Sequence, residues 1–225
     1  MDLITDEFRA AVRDYAYLLD RSYPRKEILK MVGDRYQLTR AQRLLLNRGI
    51  FRQADVETRN RKKIGTISEA RVYVDALNVL FTIGNYLLGR IVFISNDGFL
   101  RAGGEITGKL HQDESFIRAT DLLMKYLVQY SETDYQFLID EPVPGSNEVK
   151  QLIVTMLKDH KLNGNACTVT DPDEVLIRIS DGLIATSDSE VIEQSDNRVL
   201  DLAFEVLNSN FQPDFINLSE MLPEG

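Results

Sequence analysis

Apolar and polar residues follow two different patterns along the chain, one on each side of about residue 70. Before that point, apolar side chains recur every three or four residues, which predicts short amphipathic helices over 6–19, 25–32 and 40–47. Beyond it, short apolar runs alternate with helix-spaced segments, which predicts strands that alternate with helices. The predicted strands cover 71–75, 90–95, 135–139, 166–170 and 182–186.

This alternation predicts an α/β fold, a three-layer αβα domain whose mostly parallel sheet is covered by helices on both faces. A small all-α domain is expected to precede it. We expect a helical, helix-turn-helix-like domain over 1–55, a basic linker over 56–70 because that stretch is polar, and the α/β domain over 71–225.

Composition narrows the possible chemistry. A chain of 225 residues with 44% apolar content is long enough to bury a core. The single cysteine, Cys167, excludes an internal disulfide and argues against structural zinc, and two histidines make a histidine-rich metal site implausible. Any metal site must therefore use oxygen ligands. The chain has no apolar run that could span a bilayer and begins acidic and polar, so we expect a cytoplasmic protein with no membrane partner.

Charge is unevenly distributed. Residues 1–70 carry 15 Lys/Arg against 10 Asp/Glu, whereas residues 71–225 carry 11 against 25. Such asymmetry suggests that the basic part faces a nucleic acid, although an ordinary solvated helical surface and a polar linker would look the same. The candidate phosphate contacts are Arg40, Arg43, Arg59, Arg61, Lys62, Lys63 and, later in the chain, Lys109.

Acidic residues follow the predicted strands. Asp75, Asp97, Asp140 and Asp188 each come just after a separate apolar run. Glu148 lies at the start of the helix that follows the third predicted strand, 135–139. Because the carboxyl ends of parallel strands share one edge of a sheet, these acids are expected to converge there, except that Asp97 also fits an ordinary turn. Carboxylates that converge repel one another unless a cation neutralises them, which predicts a Mg²⁺ or Mn²⁺ site suited to phosphoryl chemistry.

Two segments resemble a known superfamily. VYVDALNVL, at residues 72–80, looks like the opening strand of PIN/NYN-like nucleases, and LIATSDSEVI, at 183–192, is similar to their late strand. The resemblance covers about 71–210 and implies an αβα fold with metal-dependent RNA cleavage. It implies that Asp75 and Asp188 are metal ligands and that Asn78 and Ser187 support the site.

The same resemblance leaves the third acid open, between Glu148 and Asp140. The N-terminal part resembles the helical domain of an uncharacterised prokaryotic family that joins such a domain to a PIN-like one, and this match implies no activity.

The sequence therefore predicts a Mg²⁺- or Mn²⁺-dependent ribonuclease with catalytic and metal-binding residues Asp75, Asp188, Glu148 and Asp140. The alternative is a non-catalytic RNA-binding module whose metal site is incomplete. A homodimer is compatible with either hypothesis.

Overall fold

The structure is a computed structural model that describes residues 3–68, 70–104 and 110–223, without the side chain of His111. The chain divides into two compact units. The helical unit consists of residues 1–61, 91–103 and 214–225, and the sheet unit consists of residues 62–90 and 104–213. Each unit therefore draws on separate stretches of the chain, which the predicted division at residues 56–70 did not anticipate.

The helical unit begins with helices at the positions that the apolar spacing predicted. They are α1 (Asp6–Asp20), α2 (Arg25–Arg35), α3 (Arg40–Gly49) and α4 (Gln53–Lys62). Thr5 caps α1, since its hydroxyl accepts from the Phe8 N–H, and Thr39 forms a reciprocal capping box with Gln42 at the start of α3. Apolar side chains on the inner faces, such as Phe8 and Leu45, are fully buried.

A small sheet completes the helical unit. Its strands are β3 (Val92–Ile94), β4 (Leu100–Ala102) and β9 (Ile216–Asn217), with β3 in the middle. The strand predicted at 90–95 was expected in the large parallel sheet, and this expectation was wrong. Phe93 is instead packed in the core of the helical unit beside Leu218, and burying that ring decides which sheet β3 joins.

The sheet unit contains the predicted parallel sheet. Its strands are β1 (Lys63–Ile64), β2 (Arg71–Asp75), β5 (Asp134–Asp140), β6 (Gly164–Val169), β7 (Leu183–Ala185) and β8 (Val199–Leu200). They lie in the order β1-β8-β7-β2-β5-β6, and each adjacent pair is parallel. The helices are α5 (Ala76–Leu87), α6 (Glu114–Leu127), α7 (Ser146–Asp159), α8 (Pro172–Arg178), α9 (Ser189–Gln194) and α10 (Leu202–Phe211).

Both faces of this sheet are buried, which confirms the layered α/β arrangement. One face presents Leu138 and Ile184 to Leu176 of α8 and Val191 of α9. Side chains alternate between the faces of a strand, so the fully buried Val74 belongs to the opposite face. Helices α5 and α7 contact the strands there, which gives the three layers.

The stretch 56–70 is not a linker in the structure. Helix α4 continues to Lys62, and β1 follows directly and pairs with β8. The polar composition that suggested a linker reflects the exposed positions of a surface helix, for example Asn60 and Arg61. Within the described residues, no helix has both the length and the apolarity needed to cross a bilayer.

Candidate functional site

The candidate site lies where the strand order of the parallel sheet reverses. From β2 the chain adds β5 and then β6 on one side, and afterwards places β7 and β8 on the other side. In open α/β sheets, ligands bind outside the carboxyl ends of the strands at such a switch point. Here that point lies between β2 and β7, whose last paired residues are Val74 and Ala185.

Two hydrogen-bonded bridges join the segments that leave these strands. The Thr186 hydroxyl donates to Asp75 Oδ2 over 2.8 Å, and the Asp188 N–H donates to Thr186 Oγ over 3.1 Å. Asn78 Oδ1 accepts from both the N–H and the hydroxyl of Ser187, over 2.9 and 3.0 Å. The residues that the sequence singled out at the two strand ends, Asp75, Asn78, Ser187 and Asp188, are thus brought together.

The caps of two helices fix the carboxylates at this edge. Asp75 caps α5, because its Oδ1 accepts from the Asn78 N–H over 3.4 Å. Asp188 caps α9, because its Oδ1 accepts from the N–H groups of Glu190 and Val191 over 2.8 and 3.2 Å. An aspartate that follows a strand and begins a helix satisfies the unpaired N–H groups of the first turn, which explains its position in the sequence.

Further carboxylates come from β5 and α8. Asp140 ends β5 and, two residues beyond Leu138, belongs to the face that α8 and α9 cover. Asp171 caps α8 through the Glu174 N–H, and Asp173 lies in the first turn of that helix. The site is therefore a group of aspartates at 75, 140, 171, 173 and 188, which we call the acidic cluster.

Three carboxylates of the acidic cluster have raised pKa values. Burial raises the pKa of Asp75 to about 7, with contributions from the negative charges of Asp173 and Asp140, although the Thr186 hydroxyl acts in the opposite direction. Burial also raises the pKa of Asp173 to about 6, and the charge of Asp188 adds to the effect. The pKa of Asp140 is raised by burial and by Asp171. The carboxylates are thus close enough to oppose one another's ionisation.

The acidic cluster has no ion-paired cation in the part of the chain that the structure describes. None of the five aspartates forms an ion pair with a lysine or arginine in residues 3–68, 70–104 and 110–223. Oxygen donors of this type suit a hard divalent cation such as Mg²⁺ or Mn²⁺. Among the same residues, however, no group of three or more acidic, histidine or cysteine side chains is placed so that it could hold a metal ion. The cluster thus fits a metal in donor chemistry and charge but is not a preassembled metal centre.

Glu148 does not join the cluster in the structure. It is exposed in the first turn of α7, whereas the negative charges that raise the pKa of Asp75, Asp140 and Asp173 belong to other aspartates and to Glu190. Asp173 has the position expected of Glu148. The sequence contains one signal for Asp173, because α8 begins directly after β6 and its first turn must lie at the same sheet edge.

Arg59 and Arg43, two of the predicted phosphate contacts, form ion pairs within the helical unit. The Arg59 side chain is buried, with Nη1 2.9 Å from Asp97 Oδ2, so the expectation that it contacts a nucleic acid is corrected. Asp97 also pairs with Arg101 inside this unit and is not at the edge of the parallel sheet. Arg43 pairs with Asp34 over 2.9 Å and donates to the Leu38 carbonyl.

The neighbouring basic residues are divided between structural and exposed positions. Lys62 Nζ donates to the carbonyls of Ile192, Glu193 and Ser195 at the end of α9, where a cation also suits the helix dipole. Lys63 Nζ lies 3.9 Å from Asp201. Arg61 is exposed, 3.8 Å from Glu57, and Arg40 is exposed at the start of α3. Lys109 lies outside the described residues.

Comparison with known proteins gives relatives of unknown function. Residues 64–205 match the family described as "Domain of unknown function (DUF5616)", and residues 7–62 match "Protein of unknown function (DUF434)". The chain is similar to the uncharacterized protein MJ0935 of Methanocaldococcus jannaschii, with 26% identity over 200 residues, which are 88% of this chain and 95% of the relative. No solved structure matches. The DUF434 match ends at residue 62, the last residue of α4, and the DUF5616 match begins at residue 64, within β1.

Proposed function

The chain belongs to the family described as Domain of unknown function, DUF5616, and we propose that it is a metal-dependent ribonuclease of the cytoplasm. The observation that carries the proposal is the bridge from Asp75 through Thr186 to Asp188. It joins the Asp75 carboxylate to the backbone N–H of Asp188 at the switch point of a parallel sheet, where α/β proteins bind their ligands. The resemblance of these same two segments to PIN/NYN-like nucleases supports phosphodiester hydrolysis.

The residues that would hold the cation are Asp75, Asp188, Asp140 and Asp173. Bound Mg²⁺ or Mn²⁺ would supply Lewis-acid stabilisation of charge on phosphate oxygens and would lower the pKa of a coordinated water. A bound cation would also oppose the burial and the smaller like-charge repulsion that raise the pKa of Asp75 and Asp173. Glu148 has no part in this proposal because its exposed carboxyl lies outside the described cluster.

The protein's other residues at the site position the carboxylates. Thr186 donates to Asp75 Oδ2, and Asn78 Oδ1 accepts from the backbone N–H and the hydroxyl of Ser187, so hydrogen bonds join the two segments. The pairing leaves Asp188 at the start of α9 with its Oδ1 bound to two backbone N–H groups. These hydrogen bonds place Asp75 and Asp188 at the same sheet edge, and cation binding would bring their carboxylates into coordinating positions.

The test is cleavage of a labelled single-stranded RNA by the full chain with Mn²⁺ and without it. We expect Asp75→Asn and Asp188→Asn each to lower the cleavage rate by at least about a hundredfold, since each removes a carboxylate from the charged site. Glu148→Gln is the matched control, an acidic residue outside the cluster, and should cleave at the wild-type rate. Undiminished cleavage by the Asp75→Asn, Asp188→Asn double variant would refute the proposal.

A non-catalytic RNA-binding module is the second candidate. It is favoured by the finding that no group of three metal-ligating side chains among the described residues is placed to hold an ion. RNA binding without cleavage, together with no effect of Mn²⁺ on the melting temperature, would select this alternative.

A further inference from the structure

Helix α1 presents a regular row of exposed side chains that the fold does not use. Arg9, Arg13, Tyr17 and Arg21 follow one another at intervals of four residues and are all exposed. Residues four apart lie on one side of a helix, so the row, which we call the α1 stripe, runs about 18 Å along the surface. The opposite side of the helix carries the buried Phe8, Val12 and Tyr15.

Two of the four acidic residues of α1 form hydrogen bonds outside the stripe, and the other two, Asp6 and Glu7, lie in the first turn. Asp14 Oδ2 accepts from the Tyr36 hydroxyl over 2.7 Å, and Asp20 Oδ1 accepts from the Gln53 N–H over 2.7 Å. Within the described residues, neither Arg9 nor Arg13 forms an ion pair. Two arginines four residues apart on a helix repel each other slightly, so their placement does not serve the stability of α1.

The aromatic member of the stripe is placed for stacking. Tyr17 is 57% exposed, and the Arg21 guanidinium carbon lies 4.4 Å from the centre of its ring. Tyr23, just beyond the helix, is 55% exposed. Exposed aromatic rings between arginines are the combination that binds single-stranded nucleic acid, since the bases stack on the rings while the arginines contact the phosphates.

We propose that the α1 stripe binds single-stranded RNA. The α1 stripe does not include any of the basic residues predicted from the sequence to contact phosphates. Of those residues, Arg59 is buried and Arg43 forms an ion pair with Asp34. The proposal shares with the proposed function the expectation of an RNA partner, but it requires neither the acidic cluster nor a metal. A second copy of the chain could instead bring its own acidic groups to the same arginines, and the test distinguishes that possibility by the mass in solution.

The experiment measures binding of the full chain to a fluorescently labelled, uridine-rich RNA oligonucleotide by anisotropy in EDTA, over a range of salt concentrations. The Arg9→Gln, Arg13→Gln double variant should bind about tenfold more weakly and with a shallower salt dependence, because two phosphate contacts are lost. Tyr17→Ala should also bind about tenfold more weakly, while Tyr17→Phe, which keeps the ring, should bind like the wild type.

Arg118→Gln, which removes an exposed arginine from α6 in the sheet unit, is the matched control and should bind normally. The melting temperature and the mass in solution are measured for every variant. Absence of RNA binding by the wild type, or equal binding by the wild type and the stripe variants, overturns the proposal. A change of the oligomeric mass in the stripe variants also overturns the proposal, because it would show that the α1 stripe forms contacts between copies of the chain. Wild-type binding with no cleavage in Mn²⁺ would refute the proposed catalysis and leave the stripe proposal standing.

Discussion

Replacing Asp75 by asparagine should stabilise the protein while it removes the proposed activity. The Asp75 side chain is buried, at 5% exposure, and burial raises its pKa from 3.8 to about 7. Between those values the unfolded chain has lost the proton and the folded protein keeps it, so stability falls as the pH rises from about 4 to about 7. Above pH 7 the Asp75 carboxyl is ionised in the folded protein, and its ionisation lowers the free energy of unfolding by roughly 4 kcal/mol for a pKa shift of this size.

Asparagine removes the charge and keeps one oxygen that can accept from the Thr186 hydroxyl or the Asn78 N–H. Because one of the two hydrogen bonds is weakened, we expect a net gain of about 1–3 kcal/mol at about pH 8. The gain should disappear near pH 4, where the wild-type carboxyl is neutral in the folded state. The assay is urea unfolding in EDTA at several pH values, analysed by linear extrapolation.

Asp97→Asn is the control, because Asp97 is also a fully buried aspartate but has the opposite shift. Burial alone would raise the pKa of Asp97, but the charge and hydrogen bonds of Arg101, with Ser95 and Arg59, lower it to about 2. The ionised form therefore stabilises the fold above about pH 4, and this stability is lost as the pH falls through 2. Asp97→Asn removes the carboxylate charge that pairs with two buried guanidinium groups and should cost about 3–5 kcal/mol at neutral pH. If Asp75→Asn is instead less stable than the wild type at pH 8, Asp75 is held as a stabilising carboxylate and the account of the acidic cluster is wrong.

Two further variants test structural assignments. Lys62→Met should lower stability by about 1–2 kcal/mol in thermal melts, because three carbonyls at the end of α9 lose their ammonium donor. Unchanged stability together with weaker RNA binding would instead support the predicted phosphate contact of Lys62. Gly164→Ala should cost about 2 kcal/mol or more in urea unfolding, because φ is +148° and the added Cβ would lie 2.3 Å from the Tyr135 carbonyl oxygen. Wild-type stability of that variant would show that the start of β6 can move.

Local patterns predicted most of the elements and part of the site. The helices α1, α2 and α3 lie within a few residues of their predicted bounds, since apolar spacing and capping residues such as Thr5 and Thr39 act over a single turn. Asp75 and Asp188 could be recognised because each ends an apolar strand and begins a helix. Local patterns do not separate the two-residue strand β8 from helix α10, which begins two residues after it.

The sequence by itself determined the class of fold, because burial on both sheet faces demands apolar strands and amphipathic helices in alternation. Only the tertiary structure decided which carboxylates share a site, that Asp173 belongs with them and Asp97 does not, and which basic residues are exposed. These outcomes depend on contacts between residues far apart in the chain, such as the bond between Thr186 and Asp75, which are 111 positions apart. The environment of a charged group is set by the side chains that surround it in space, and the order of residues does not specify those neighbours until the strands have paired.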